Sequence, residues 1–234
     1  MSKCNNFRGA AWPDNMASIL NKAGFYWDAF KGRLTVRRDR EPIDSVARLQ
    51  EFVSTRSVFV AQKTLYSYVK MRMGTRYPRM FEDDMLIVSV DIAKHHVFAG
   101  CLSDLAIYAV AIALHEQPVS NDDRRALALQ CFEAALREIS AEAPEQFSAQ
   151  EVIDEFGRRL ELTDWRVGAL HPDNFTASPR ALYRWAPIAD RLKKFDAEIV
   201  ENSVRYNWRD IREQYHKRLD AAALCANWSR QTAG

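Results

Sequence analysis

The stretch Leu105–Leu114 (LAIYAVAIAL) is the longest unbroken apolar run in the chain, and it sits within a helical pattern over about residues 83–116 that is apolar on nearly every face. A helix with no polar side has to be surrounded by other elements, so the remainder of the chain must supply its coat. Ten unbroken apolar residues are about half of what a bilayer span requires. The part before them is interrupted by Asp91, Lys94, His95, His96 and Asp104. The pattern therefore predicts a core helix and no transmembrane segment.

The coat reads as helical too. Glycine is scarce, and proline falls between periodic segments or at helix starts, as at Pro42 and Pro179. Helices are expected over about residues 14–30, 42–54, 57–73, 121–141 and 149–160, and from Pro179 to about 228 with a kink or a break at Pro187. Ser120 with Asp122 and Asp123 reads as a helix start, as does the Ser148/Glu151 pair. In the last helix, Ile188, Leu192, Phe195 and Ile199 continue into Val204, Trp208, Ile211 and Tyr215, a narrow apolar seam for one or two neighbouring helices or a second subunit. A short extended stretch is expected at Arg33–Arg38. The expected fold is all-α: an irregular or orthogonal bundle of six to seven helices around a buried central helix near residues 85–114. It forms one domain over 1–234, with residues 1–12 and 229–234 loosely ordered.

Cys4, Cys101, Cys131 and Cys225 form no CxxC pair and no clustered spacing. They read as inert buried thiols of a reducing compartment, without a metal. The opening residues MSKCNNFRGAAWPDN lack an export signal, so a cytoplasmic protein is expected.

A net charge of +2 conceals a strong segregation. Residues 1–80 carry fifteen Lys and Arg against six Asp and Glu, residues 81–162 carry six against sixteen, and the remainder carries twelve against nine. Either the basic and acidic thirds pack together, or the first presents a positive face to an anionic partner such as nucleic acid or lipid headgroups. The candidates for that face are Arg33, Arg37, Arg38 and Arg40, then Lys70, Arg72, Arg76 and Arg79. Tyr66, Tyr68 and Tyr77 lie among the second group, and Tyr26 and Trp27 in a crowded aromatic segment. These five form a candidate aromatic interface.

Catalytic signatures are sparse: the chain has no GxGxxG, no phosphate-cradling GxxxxGK[ST] and no GxSxG. Asp91 and His95, four apart on the central helix, are candidates for an acid/base or metal pair. Asp104, Tyr108 and His115 share another face, but Asp104 and His115 lie about 16 Å apart along the helix. Glu213-x-x-His216 matches half of a di-iron motif and has no second copy. These observations point to a non-catalytic interaction protein (an adaptor, chaperone or accessory subunit) without cofactor. It would bind a protein partner or an anionic surface through its basic, aromatic N-terminal third, with homo-oligomerisation through the C-terminal helix an open option. The alternatives are a helical enzyme using Asp91 and His95, and a single-stranded nucleic-acid binder.

Overall fold

The computed structural model describes residues 40–75, 83–141 and 143–232. Eight α-helices follow one another among them. They are α1 (Val46–Met73), α2 (Asp84–Ala113), α3 (Asn121–Ser140), α4 (Ala149–Glu161), α5 (Ala177–Trp185), α6 (Asp190–Lys193), α7 (Ala197–Arg218) and α8 (Ala221–Thr232). Two 3-10 turns, Gly168–Leu170 and Pro172–Asn174, join α4 to α5. The described residues contain no strand beyond one isolated bridge, between Ile43 and Leu219. The helix expected over 14–30 and the extended stretch at Arg33–Arg38 lie outside the described residues.

The all-α class and the central helix stand as expected. Between Val97 and Leu114 of the α2 region only Gly100 and Ile112 escape full burial, because α1, α3, α4, α5 and α8 all pack on this helix. It meets α5 closely at Gly100. A Cβ built on Gly100 would lie 2.8 Å from Ala181 Cβ and 2.9 Å from the Ala177 carbonyl oxygen, so the two backbones meet where one residue has no side chain. Asp83 opens α2 by accepting from the backbone N–H of Met85 and Leu86. A Ser120–Asp123 capping box opens α3, and Ser148 Oγ accepts from Glu151 N at the head of α4.

The helix layout differs from that expected in two regions. Residues 42–54 and 57–73 form parts of one helix, α1. Thr55, which reads as a connector, returns its hydroxyl to the Glu51 carbonyl at 2.7 Å. Arg56 is buried over the Phe52 ring, with Nε donating to Gln214 of α7. The expected C-terminal helix is instead four helices. Ala186, with ψ 132°, is forced out of the helical region by Pro187 and ends α5. Leu219, also extended, ends α7, and Asp220 Oδ1 then accepts from Ala223 N to open α8. That last break has no glycine or proline. It coincides with the bridge, in which Ile43 N donates to the Arg218 carbonyl and Asp220 N to the Ile43 carbonyl.

These breaks also reset the apolar seam. Val204, Trp208, Ile211 and Tyr215 face inward as expected, preceded by Val200. In the first half, however, Leu192, Phe195 and Ile199 are exposed. The inward positions there belong to Lys193 and Asp196. Helix α8 continues to Thr232, through most of the tail expected to be loosely ordered.

Candidate interaction surface

Asp91 and His95 do share a face of α2, but the imidazole does not meet the carboxylate. His95 Nδ1–H donates to the Asp91 backbone carbonyl at 2.9 Å, and the Asp91 carboxylate pairs with Lys94 at 2.8 Å. His96, about one-quarter turn further round, is brought back to the same neighbourhood by Phe147. Its ring lies 5.3 Å from that of His95 and 5.1 Å from that of His96. The other face of His96 stacks on Trp185 of α5 at 3.5 Å and 2°, with the Arg184 guanidinium 5.2 Å from the Trp185 ring. Burial holds the His96 pKa down to about 4, with the Gln146 backbone offsetting part of the effect. No group of three or more His, Cys, Asp or Glu suited to a metal occurs among the described residues.

Asp104 and Tyr108 of α2 are engaged in building the bundle. Asp104, 2% exposed, accepts from Ala177 N and from both Ser178 N and Ser178 Oγ at the head of α5. It also pairs with Arg159 of α4 at 2.7 Å. Trp208 Nε1 donates to the same Ser178 hydroxyl. One buried carboxylate thus caps α5, which has no side-chain cap of its own. Sequence reasoning did not identify Arg159 or Ser178 as partners of Asp104. The only signal was an acidic residue in an apolar helix, which demands a partner without naming it. Tyr108 OH and His216 Nε2 lie 2.9 Å apart, so the Glu-x-x-His histidine contacts a buried tyrosine. Cys101 and Cys131 are buried thiols whose pKa values burial raises, that of Cys131 to about 12.

The candidate basic face divides. Arg33, Arg37, Arg38, Arg76, Arg79, Tyr26, Trp27 and Tyr77 lie outside the described residues. Arg40 precedes α1 and is exposed, whereas Lys70 is exposed at its far end. A helix of 28 residues separates its two ends by about 42 Å. Tyr66 is partly exposed. Tyr68 and Arg72 are engaged within the chain, since the buried Asp196 accepts from Tyr68 OH at 2.6 Å and from Arg72 Nε at 2.5 Å. A second contact joins Arg72 Nη2 to the other carboxylate oxygen, making the pair bidentate.

That triad clamps the α6–α7 corner to the end of α1. Beside it, buried Lys193 donates to the Arg184 carbonyl, pairs with Asp190 and lies over the Tyr183 ring. With Lys193 and Asp196 turned inward, Leu192, Phe195 and Ile199 are turned outward, at 55%, 83% and 50% exposure. Exposed Arg191 and Lys194 flank them, with Lys194 Nζ 5.4 Å from the Phe195 ring centre. Met71, one residue before Arg72, is 53% exposed on α1.

Fold and surface together define an all-α bundle with an inverted corner, in which Lys193 and Asp196 are buried while Leu192, Phe195 and Ile199 are exposed. No family model matches the chain, and neither a curated protein nor a solved structure matches it.

Proposed function

We propose that this is a non-catalytic interaction protein that engages a protein partner through the apolar corner of α6 and α7, with Arg191 and Lys194 at its rim. The observation that carries this reading is the inversion itself. Lys and Asp are seldom buried unless paired, and here Lys193 and Asp196 are buried while Leu192, Phe195 and Ile199 stand in solvent. Exposed apolar area set within a polar rim is the composition of a docking surface. The Asp196 clamp holds that surface in place against α1.

The test is retention of binding partners by the tagged full-length chain from its own cells, at low and high salt, beside a Phe195→Glu variant. A stoichiometric protein that survives high salt with the parent chain and is lost with the variant is the expected result. Nucleic acid or lipid released by salt would replace this reading with an anionic partner. A protein retained equally by the variant would remove the corner from the account. Phe195 is 83% exposed, so the variant is expected to fold.

A further inference from the structure

We propose that Arg212 and His216 of α7, together with Tyr108 of α2, form a binding site for a compact oxyanion, the phosphate or carboxylate group of a small molecule. The site is separate from the α6–α7 corner, and it uses the histidine of the Glu213-x-x-His216 motif, for which the corner has no role. Arg212 and His216 are one turn apart on α7 and so share a face. That face meets Tyr108, which is 4% exposed and whose hydroxyl lies 2.9 Å from His216 Nε2. The Arg212 guanidinium stands over the Phe175 ring at 5.9 Å, and that ring lies 5.2 Å from the ring of Tyr108. Burial raises the Tyr108 pKa, and the nearby Arg212 charge opposes the rise.

This cluster has more donors than acceptors. Arg212 is half-buried, and its Nε is sealed from solvent without a hydrogen-bond partner. No carboxylate among the described residues pairs with its guanidinium: Asp104 is held by Arg159, Asp173 by Arg205 and His171, and Asp210 by Arg209. A sealed donor on a charged group calls for a charged acceptor. Tyr108 and His216 supply a second donor. If the phenol donates to Nε2, the neutral imidazole keeps its Nδ1–H; if Nε2–H donates instead, the phenol proton is released. Either way one donor is left over beside the Arg212 Nε–H. A cation with two free donors selects an oxygen-bearing anion, and the Phe175 and Tyr108 rings keep water from one side, which strengthens the attraction.

The experiment follows the histidine signals of the full chain by proton–carbon NMR while inorganic phosphate or, separately, acetate is added at constant ionic strength. A His216→Gln variant identifies the His216 signal, and circular dichroism checks the fold of every variant. The expected result is a saturable shift of that signal, half-complete at about 1 mM or below. Arg212→Gln should weaken binding about tenfold or more, because it removes a charge-assisted donor. Arg212→Lys, which keeps the charge without the guanidinium fork, should fall between Arg212→Gln and the parent. Arg137→Gln, at an exposed position of α3, should bind as the parent does. The anion that saturates at the lower concentration names the ligand group, phosphoryl or carboxylate. A shift that saturates with neither anion overturns the proposal, as does saturation that Arg212→Gln leaves unchanged or that Arg137→Gln weakens equally.

Discussion

Among single side chains, His96 and Asp104 illustrate two ways in which the bundle accommodates polarity on a helix that has almost none. Asp104 collects partners from α4 and α5 until its oxygens are occupied. His96 instead packs as an aromatic ring, flat on Trp185 and edge-on to Phe147. Burial then disfavours the imidazolium and lowers the pKa from 6.5 to about 4. A lowered histidine pKa means that the unfolded chain binds the proton more readily than the native one. The stabilisation is complete above about pH 6.5 and is lost as the pH falls to about 4. A His96→Phe variant, which keeps the stacked ring, should show a flatter dependence of urea midpoint on pH across that window. An unchanged slope would show that other groups carry the acid sensitivity.

Among elements, the contact of α2 with α5 is the tightest that the structure records at a glycine. Gly100 supplies no side chain where Ala177 and Ala181 approach, and Asp104, one turn later, caps the helix that makes the approach. Adding one methyl at Gly100 meets backbone, which cannot swing aside. Gly100→Ala should therefore destabilise the protein by about 1–3 kcal/mol through overpacking, despite alanine's better helix propensity. Chemical denaturation measures this directly, and a neutral or stabilising result would show that α5 can move. The same two helices hold the Trp185–His96 stack, so near-ultraviolet circular dichroism should change together with stability.

For the molecule as a whole, two features matter most: a core helix of membrane-spanning length, and a closure between the start and the end of the described chain. Helix α2 is long and apolar enough to cross a bilayer, but 83% of its most apolar window is buried against protein. Closure is supplied by α8. Asn227 Oδ1 accepts from Val46 N at the head of α1, where Ser45 makes no cap of its own. Leu224 and Trp228 are buried, and Asp220 N donates to the Ile43 carbonyl. A chain ending at Leu219 loses all of these. It should be less stable by several kcal/mol, with about 1.5–3 for each large apolar side chain and about 1 for the cap. A truncated chain with the parent's urea midpoint would show that α8 is peripheral to the fold.

The helical class, the central position of α2, the caps at Ser120 and Ser148 and the break at Pro187 were legible in the sequence, because each depends on local periodicity or backbone chemistry. The continuity of α1 through Thr55 and Arg56 was not, since Arg56 looks like a solvated residue until Phe52 and Gln214 are placed beside it. The end of α7 at Leu219 has no local signal; it accompanies the bridge to Ile43 far along the chain. Leu192, Phe195 and Ile199 read as one seam with Val204 to Tyr215, for neighbouring helices or a second subunit, because their spacing continues it. A break of a few residues turns a helix face away, and only the packed structure decided that Lys193 and Asp196 would face inward there. Spacing determines which residues share a face. Which face is buried depends on partners that are distant in sequence, and here that placement decided where the candidate surface lies.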